Sequence, residues 1–216
     1  GLRCINGSQV TLLRSVVTGN SNTGISIESG CKAVVDESWI GVYSPVLMGA
    51  QGRANGIQIV VADRGDLLLR SSVVYLSTDG RFTGISVRMS PNLSPGRARL
   101  INDTIVSFVG SDNSPTGWLL ECDTGAQVAL QNSIFLGQIS GTSRNIGQNC
   151  LQGGSANALA SDDASGEGLG AGWRPVSSAD LRRLGSNGTE LPDLRLSAMG
   201  AERLGGKGST GADVPT

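Results

Sequence analysis

The chain has no histidine. That removes the commonest general base and the commonest metal ligand, and with them Ser-His-Asp and Cys-His nucleophile pairs. Long apolar runs are also missing: none nears the about 20 residues a helix needs to cross a bilayer, so no membrane span is expected. The formal charge is −1, and no basic excess points to nucleic acid or an anionic membrane. Lysine is nearly absent, with Lys32 and Lys207 the only two, a bias we read as genomic composition rather than mechanism. The four cysteines, Cys4, Cys31, Cys122 and Cys150, lack CxxC spacing, which argues against a zinc site. Aromatic residues make up only 4% and apolar residues 38%, thin material for a helical bundle.

What is abundant is glycine, with 32 residues. Glycine inside helices costs about 1 kcal/mol against alanine, whereas short strands joined by many turns use it well. A short motif recurs: "TGISI" at Thr23, "NGIQI" at Asn55, "TGISV" at Thr83 and "TGWLL" at Thr116. Its glycines, Gly24, Gly56, Gly84 and Gly117, are spaced by 32, 28 and 33 residues, and "GLRCI" at Gly1 and "GQNCL" at Gly147 fit the same pattern. Within the motif apolar and polar residues alternate, as a strand with one buried face requires. One inward column reads Leu2, Ile25, Ile57, Ile85, Trp118; the next reads Cys4, Ile27, Ile59, Val87, Leu120.

A second motif interleaves with the first: "LLRSVV" at Leu12, "VDESWI" at Val35, "LRSSVV" at Leu69, "INDTIV" at Ile101 and "LQNSIF" at Leu130. Its hydroxyl column is Ser15, Ser38, Ser72, Thr104 and Ser133, preceded by Arg14, Glu37, Ser71, Asp103 and Asn132. A hydroxyl between two strand segments suits a bend, because it bonds back to nearby backbone. Units of this length cannot bury their own apolar face and must stack on their neighbours, which describes a parallel β-solenoid.

The paired "TGISI…LRSSVV" and "LQNSIFLG" segments resemble the right-handed parallel β-helix superfamily that includes the pectate lyases. More narrowly, "NSIFLG" before a Gly-rich ending resembles bacterial surface proteins with β-helix repeats. The resemblance covers roughly residues 1–154 and implies an all-β chain, a right-handed parallel β-helix of about six rungs. Residues 155–216 read as a Gly/Ala/Ser-rich tail or cap, mostly irregular, with the ladder ending at Gly154 and one short helix near 178–184 started by Ser178 and stopped by Gly185. Because Gly1 enters directly in register, further rungs are expected upstream.

Candidate chemistry lies on outward positions. Arg88 and Glu121 fall on neighbouring rungs in the column Ile5, Glu28, Val60, Arg88, Glu121, close enough for an ion pair and a candidate ligand contact. Asp103 and Asn132 are expected to stack as a short polar ladder inside a turn, and they join Arg88 and Glu121 as candidate ligand-binding residues. The resemblance raises calcium as a cofactor, but six to eight oxygens are needed and no more than two side chains converge, so none is assigned. Cys4 and Cys150 share a column at opposite ends and cannot meet. Cys122 lies just outside that column and is a candidate partner for Cys150 one rung away; Cys4 is expected as a buried thiol. Trp39 and Trp118 are expected in the core, with Trp173 open, and "DRGD" at Asp63 is a chance tripeptide.

The expected role is a non-catalytic structural or display module of a secreted or cell-surface bacterial protein, with a polysaccharide as candidate partner. The alternatives are a polysaccharide lyase or glycoside hydrolase acting on an acidic polysaccharide, and a phage tail-spike-like module. Carboxylates converging across adjacent rungs would mark the enzyme.

Overall fold

The computed structural model describes residues 1–18, 23–41, 56–77, 82–89, 94–108, 117–137, 146–150, 154–155, 157–160, 173–175, 181–183 and 193–196. Among them the protein is all-β, with a single 3-10 turn at Gln148–Cys150. Three parallel sheets run side by side, and each strand pairs with its counterpart one coil further along the chain. Sheet A stacks Leu2–Cys4, Thr23–Ile27, Gly56–Val61, Phe82–Val87 and Gly117–Cys122. Sheet B stacks Gln9–Leu13, Lys32–Asp36, Asp66–Arg70, Arg97–Ile101 and Gln127–Gln131. Sheet C stacks Val16–Thr18, Trp39–Gly41, Val73–Ser77, Thr104–Phe108 and Ile134–Gly137. This is the architecture of a parallel β-helix.

Alternation along each strand fills the space between the sheets. Ile25 and Ile27 from sheet A, Leu67 and Leu69 from sheet B, and Ile40 and Val74 from sheet C are fully buried in one apolar column that also contains Phe135. A single coil could not shield these side chains; burial comes from the coil above and the coil below.

The register differs from the motif alignment in two coils. Ile25 pairs with Ile59 and Ile27 with Val61, while Ile85 pairs with Leu120 and Val87 with Cys122. The inward columns are therefore Leu2, Ile25, Ile59, Ile85, Leu120 and Cys4, Ile27, Val61, Val87, Cys122. A shift of two residues keeps the same face inward, so alternation alone cannot detect it. Turn geometry decides it. Between sheets A and B the first three coils place two successive residues in the left-handed region: Asn6–Gly7, Ser29–Gly30 and Asp63–Arg64.

The register also explains two of the recurring glycines. The Cβ that a side chain would add at Gly24 falls 2.6 Å from the Gln58 carbonyl oxygen of the next coil. At Gly84 it falls 2.5 Å from the Leu119 carbonyl oxygen, with Leu76 and Ile105 side chains at 3.2 and 3.3 Å. Gly84→Val is therefore expected to destabilise the protein by about 1–3 kcal/mol through overpacking against the neighbouring strand. Urea unfolding measures it, and a variant as stable as wild type would show that the neighbouring coil gives way freely.

Two disulfides tie coils together. Cys4 bonds Cys31 and Cys122 bonds Cys150, with Cα separations of 5.8 and 5.3 Å. The expectation of a free thiol at Cys4 is corrected by the turn: Cys31 follows the partner of Cys4, Ile27, by one turn and points back beneath it. Cys122 stands in the inward column rather than outside it, and Cys150 holds the place in its coil that Cys31 holds in the second. One cystine joins the first coil to the second; the other joins the fifth to the segment after it.

Past residue 154 the ladder does not stop. Gly154–Ser155 pairs with Leu130–Gln131, Asn157–Ala160 with Ile134–Leu136, and Trp173–Pro175 with Asn157–Leu159, all parallel. Leu181–Arg183, expected in a helix, is a strand antiparallel to Asp193–Leu196. A helix of some seven residues is far below the about 12–15 at which helices hold themselves together, and strand pairing satisfies the same backbone groups. Ser178 and Gly185, its expected start and stop, lie outside the described residues. No described helix is long and apolar enough to cross a membrane.

Candidate functional site

At the bend between sheets B and C, two polar columns run along the coil. Arg14, Glu37, Ser71, Asn102 and Asn132 all adopt left-handed backbone angles, with φ between 46° and 58°. The next position holds Ser15, Ser38, Ser72, Asp103 and Ser133. Leu100 pairs with Leu69 and Thr104 with Val73, so Asp103 rather than Thr104 occupies the hydroxyl column. The expected stack of Asp103 on Asn132 is corrected accordingly: Asn132 follows Asn102, and Asp103 lies between Ser72 and Ser133.

This column is a chain of hydrogen bonds through the interior. Each backbone N–H donates to the side chain one coil on: Ser15 to Ser38 Oγ at 3.1 Å, Ser38 to Ser72 Oγ at 3.0 Å, Ser72 to Asp103 Oδ1 at 2.9 Å, and Asp103 to Ser133 Oγ at 3.3 Å. The serine hydroxyls in turn donate to the carbonyl two residues earlier in their own coil. Asp103 breaks the pattern by accepting a second N–H, from Ile101 at 2.8 Å. It is 1% exposed. Burial pushes its carboxyl well above the usual carboxylate range; the N–H groups of Ser72 and Ile101 pull the other way, and the charge of Asp36 adds to the rise.

On the outer side of sheet A, Arg88 and Glu121 are joined through a third residue rather than as the expected direct ion pair. Arg88 Nε donates to Ser86 Oγ at 2.9 Å, and that hydroxyl donates to Glu121 Oε2 at 3.1 Å. The register is the cause. Ser86 pairs with Glu121, and Arg88 sits one step beyond, opposite Asp123. Asp123 is itself engaged, accepting the Met89 N–H at 2.9 Å. Ser86 is fully buried, so its hydroxyl ties Arg88 to Glu121 from within, and only the charged ends of the row reach the surface. At the other end of the same sheet, Arg3 and Ser26 both bond Glu28.

Among the described residues no three carboxylates or thiols gather to hold a metal ion. Trp39 lies half-buried on the outer side of sheet C, its ring 5.5 Å from that of Tyr75, rather than in the core between the sheets. Trp118 is half-buried at the start of its strand, and the Trp173 side chain lies outside the described residues. Sequence reasoning missed Cys31, whose signal was a spacing to Cys4 of 27 residues against 28 for Cys122 and Cys150. It also passed over Lys32, Asp66, Arg97 and Arg99, outward residues of sheet B that only the register brings into line. Comparison with known proteins finds no matching family model, no similar curated protein and no similar solved structure.

Proposed function

We propose that the chain is a display module of a secreted or cell-surface bacterial protein: a right-handed, pectate-lyase-like coil that holds its faces at fixed spacing and contacts carbohydrate along one of them. The observation that carries this reading is the pair of cystines, one joining the first two described coils and one joining the fifth to the segment after it. Disulfides persist in oxidising compartments, and in a solenoid, whose stability is a sum over coils and their interfaces, each bond secures the coils it joins. Right-handedness follows the general rule for parallel strands joined by crossovers. Three acidic side chains are committed to the scaffold: Asp103 to the turn, Glu121 to Ser86, and Asp36 to Arg70 at 2.7 Å. Carboxylates engaged in this way support a surface rather than a reaction centre.

Purified protein incubated with acidic and neutral polysaccharides, with and without calcium, is expected to leave them intact while migrating more slowly in gels that contain a bound polymer. Release of unsaturated or reducing ends, absent from a heat-denatured control, would overturn the display reading in favour of a lyase or hydrolase.

A further inference from the structure

Half of the eight lysine and arginine side chains described are matched by a carboxylate: Arg3 with Glu28, Arg14 with Glu37, Arg64 with Asp63 and Arg70 with Asp36. Arg88 is held by Ser86. The others, Lys32, Arg97 and Arg99, have no carboxylate within 4 Å among the described residues, and all three are exposed on the outer face of sheet B. Strand register sets them in line. Gln9, Lys32, Asp66, Arg97 and Gln127 form one column parallel to the coil axis, at a coil spacing of about 4.8 Å. Thr11, Val34, Leu68, Arg99 and Ala129 form the next, flat and mostly apolar.

The surface between and beside these columns is concave. One hollow of about 400 Å³ is lined by Lys32, Arg64 and Arg97, one cation from each of three successive coils, with Asp66 and Ser94. A second, of about 450 Å³, shares Asp66, Arg97 and Gln127 with the first and adds Arg99. Together they make a trough along the axis with four cations and one carboxylate.

The geometry points to this trough as a binding site for a glycan bearing sulfate or phosphate monoesters. Three cations reaching one hollow from different coils suit an ester anion whose charge is spread over three acceptor oxygens; a carboxylate offers two, in one plane. Guanidinium groups bind such oxyanions through paired N–H donors. Asp66 stands in register between Lys32 and Arg97 without pairing to either, an acceptor that a bare anion would not want and a sugar hydroxyl would use. Among the described residues that line the trough none is aromatic, so none offers a ring on which nucleic-acid bases could stack. The inference rests on the carbohydrate contact proposed above and fixes where it is made and with what.

The test uses the whole chain and one sugar backbone in four forms: neutral dextran, carboxymethyl dextran, dextran sulfate and phosphorylated dextran, of matched length and charge density, with duplex DNA alongside. At physiological salt the sulfate or phosphate form is expected to bind at least about tenfold more tightly than the carboxymethyl form or DNA, and whichever is tighter identifies the ester. Arg97→Gln with Arg99→Gln should weaken that binding by at least about tenfold at unchanged melting temperature, while Arg14→Gln, on another face, leaves it intact. Equal affinity for carboxymethyl dextran or DNA would reduce the trough to general charge attraction and overturn the inference. Binding that survives in the Arg97/Arg99 variant but is lost in Arg88→Gln, or binding of neutral dextran alone, would sink the trough and leave carbohydrate contact standing. Failure of every dextran would remove both.

Discussion

Replacing Cys122 and Cys150 together with alanine is expected to lower the melting temperature by about 10 °C. The bond closes a loop with a sequence separation of 28 residues, and a cross-link over such a loop removes unfolded-chain entropy worth about 3–4 kcal/mol. For a chain of this size that amount corresponds to a shift of roughly that many degrees. The loss should be local. Stability in a solenoid is a sum over coils and their interfaces, so coils far from the break keep their neighbours. Amide exchange should rise in Gly117–Cys122 and Gln127–Gln131 and stay slow in Thr23–Ile27, which the Cys4–Cys31 bond protects. Removing Cys4 and Cys31 instead should reverse the pattern. Uniform exchange in both variants would mean that the coils unfold as one unit and the cystines do not act as separate end staples.

The second large effect is expected at Asp103. Alanine there leaves the Ser72 and Ile101 N–H groups buried without their acceptor, at about 1–3 kcal/mol each, so Asp103→Ala should lose about 2–5 kcal/mol. Serine should lose less, because Ser38, Ser72 and Ser133 of the same column already accept the neighbouring coil's N–H, and only the Ile101 N–H is then left without its acceptor. The direction with pH follows from linkage. In the unfolded chain an aspartate releases its proton near about pH 3.9, whereas burial holds the Asp103 proton in the folded protein to a higher pH. The contribution of this group is fully present below the unfolded value. It is lost as pH rises towards and through the folded value, and is level beyond it. Asp103→Ser removes that dependence, so its melting temperature relative to wild type should rise from pH 4 to pH 8. A wild-type profile unchanged by the substitution would mean that Asp103 is not buried in the turn.

The fold was legible because its signal is redundant. Five copies of an alternating strand and five copies of a hydroxyl bend report the same stacking, and an error in one copy does not change the conclusion. Register was less legible because its signal is not redundant. Ile57 and Ile59 fit an inward column equally well, and the choice lies with Asp63–Arg64, which occupy the left-handed pair without the glycine that marks Asn6–Gly7 and Ser29–Gly30. The same slip, in the coil of Trp118, moved Cys122 out of its column. A slip of one residue in the second motif exchanged Asp103 for Thr104 in the hydroxyl column. These small errors matter most for the surface. Arg88, Ser86 and Glu121, or Lys32, Asp66 and Arg97, become neighbours only once every coil is placed correctly, since residues about 30 apart in sequence are brought to adjacent positions by the length of each loop. The tail was misread for a different reason. Its first strands, Gly154–Ser155 and Asn157–Ala160, are too short to show a period of their own and are ordered by the sheet edges they join, Leu130–Gln131 and Ile134–Leu136.

The central claim is the stacked register, and the cystines test it directly. Four cysteines allow three full pairings, and only the stacking of adjacent coils in this register gives Cys4–Cys31 with Cys122–Cys150. Digestion of the native, non-reduced protein followed by mass spectrometry of the linked peptides should find those two pairs and no free thiol. A Cys4–Cys150 or Cys31–Cys122 link within one chain would join coils that the fold keeps apart, and would contradict the register on which the columns, the turn and the trough all depend.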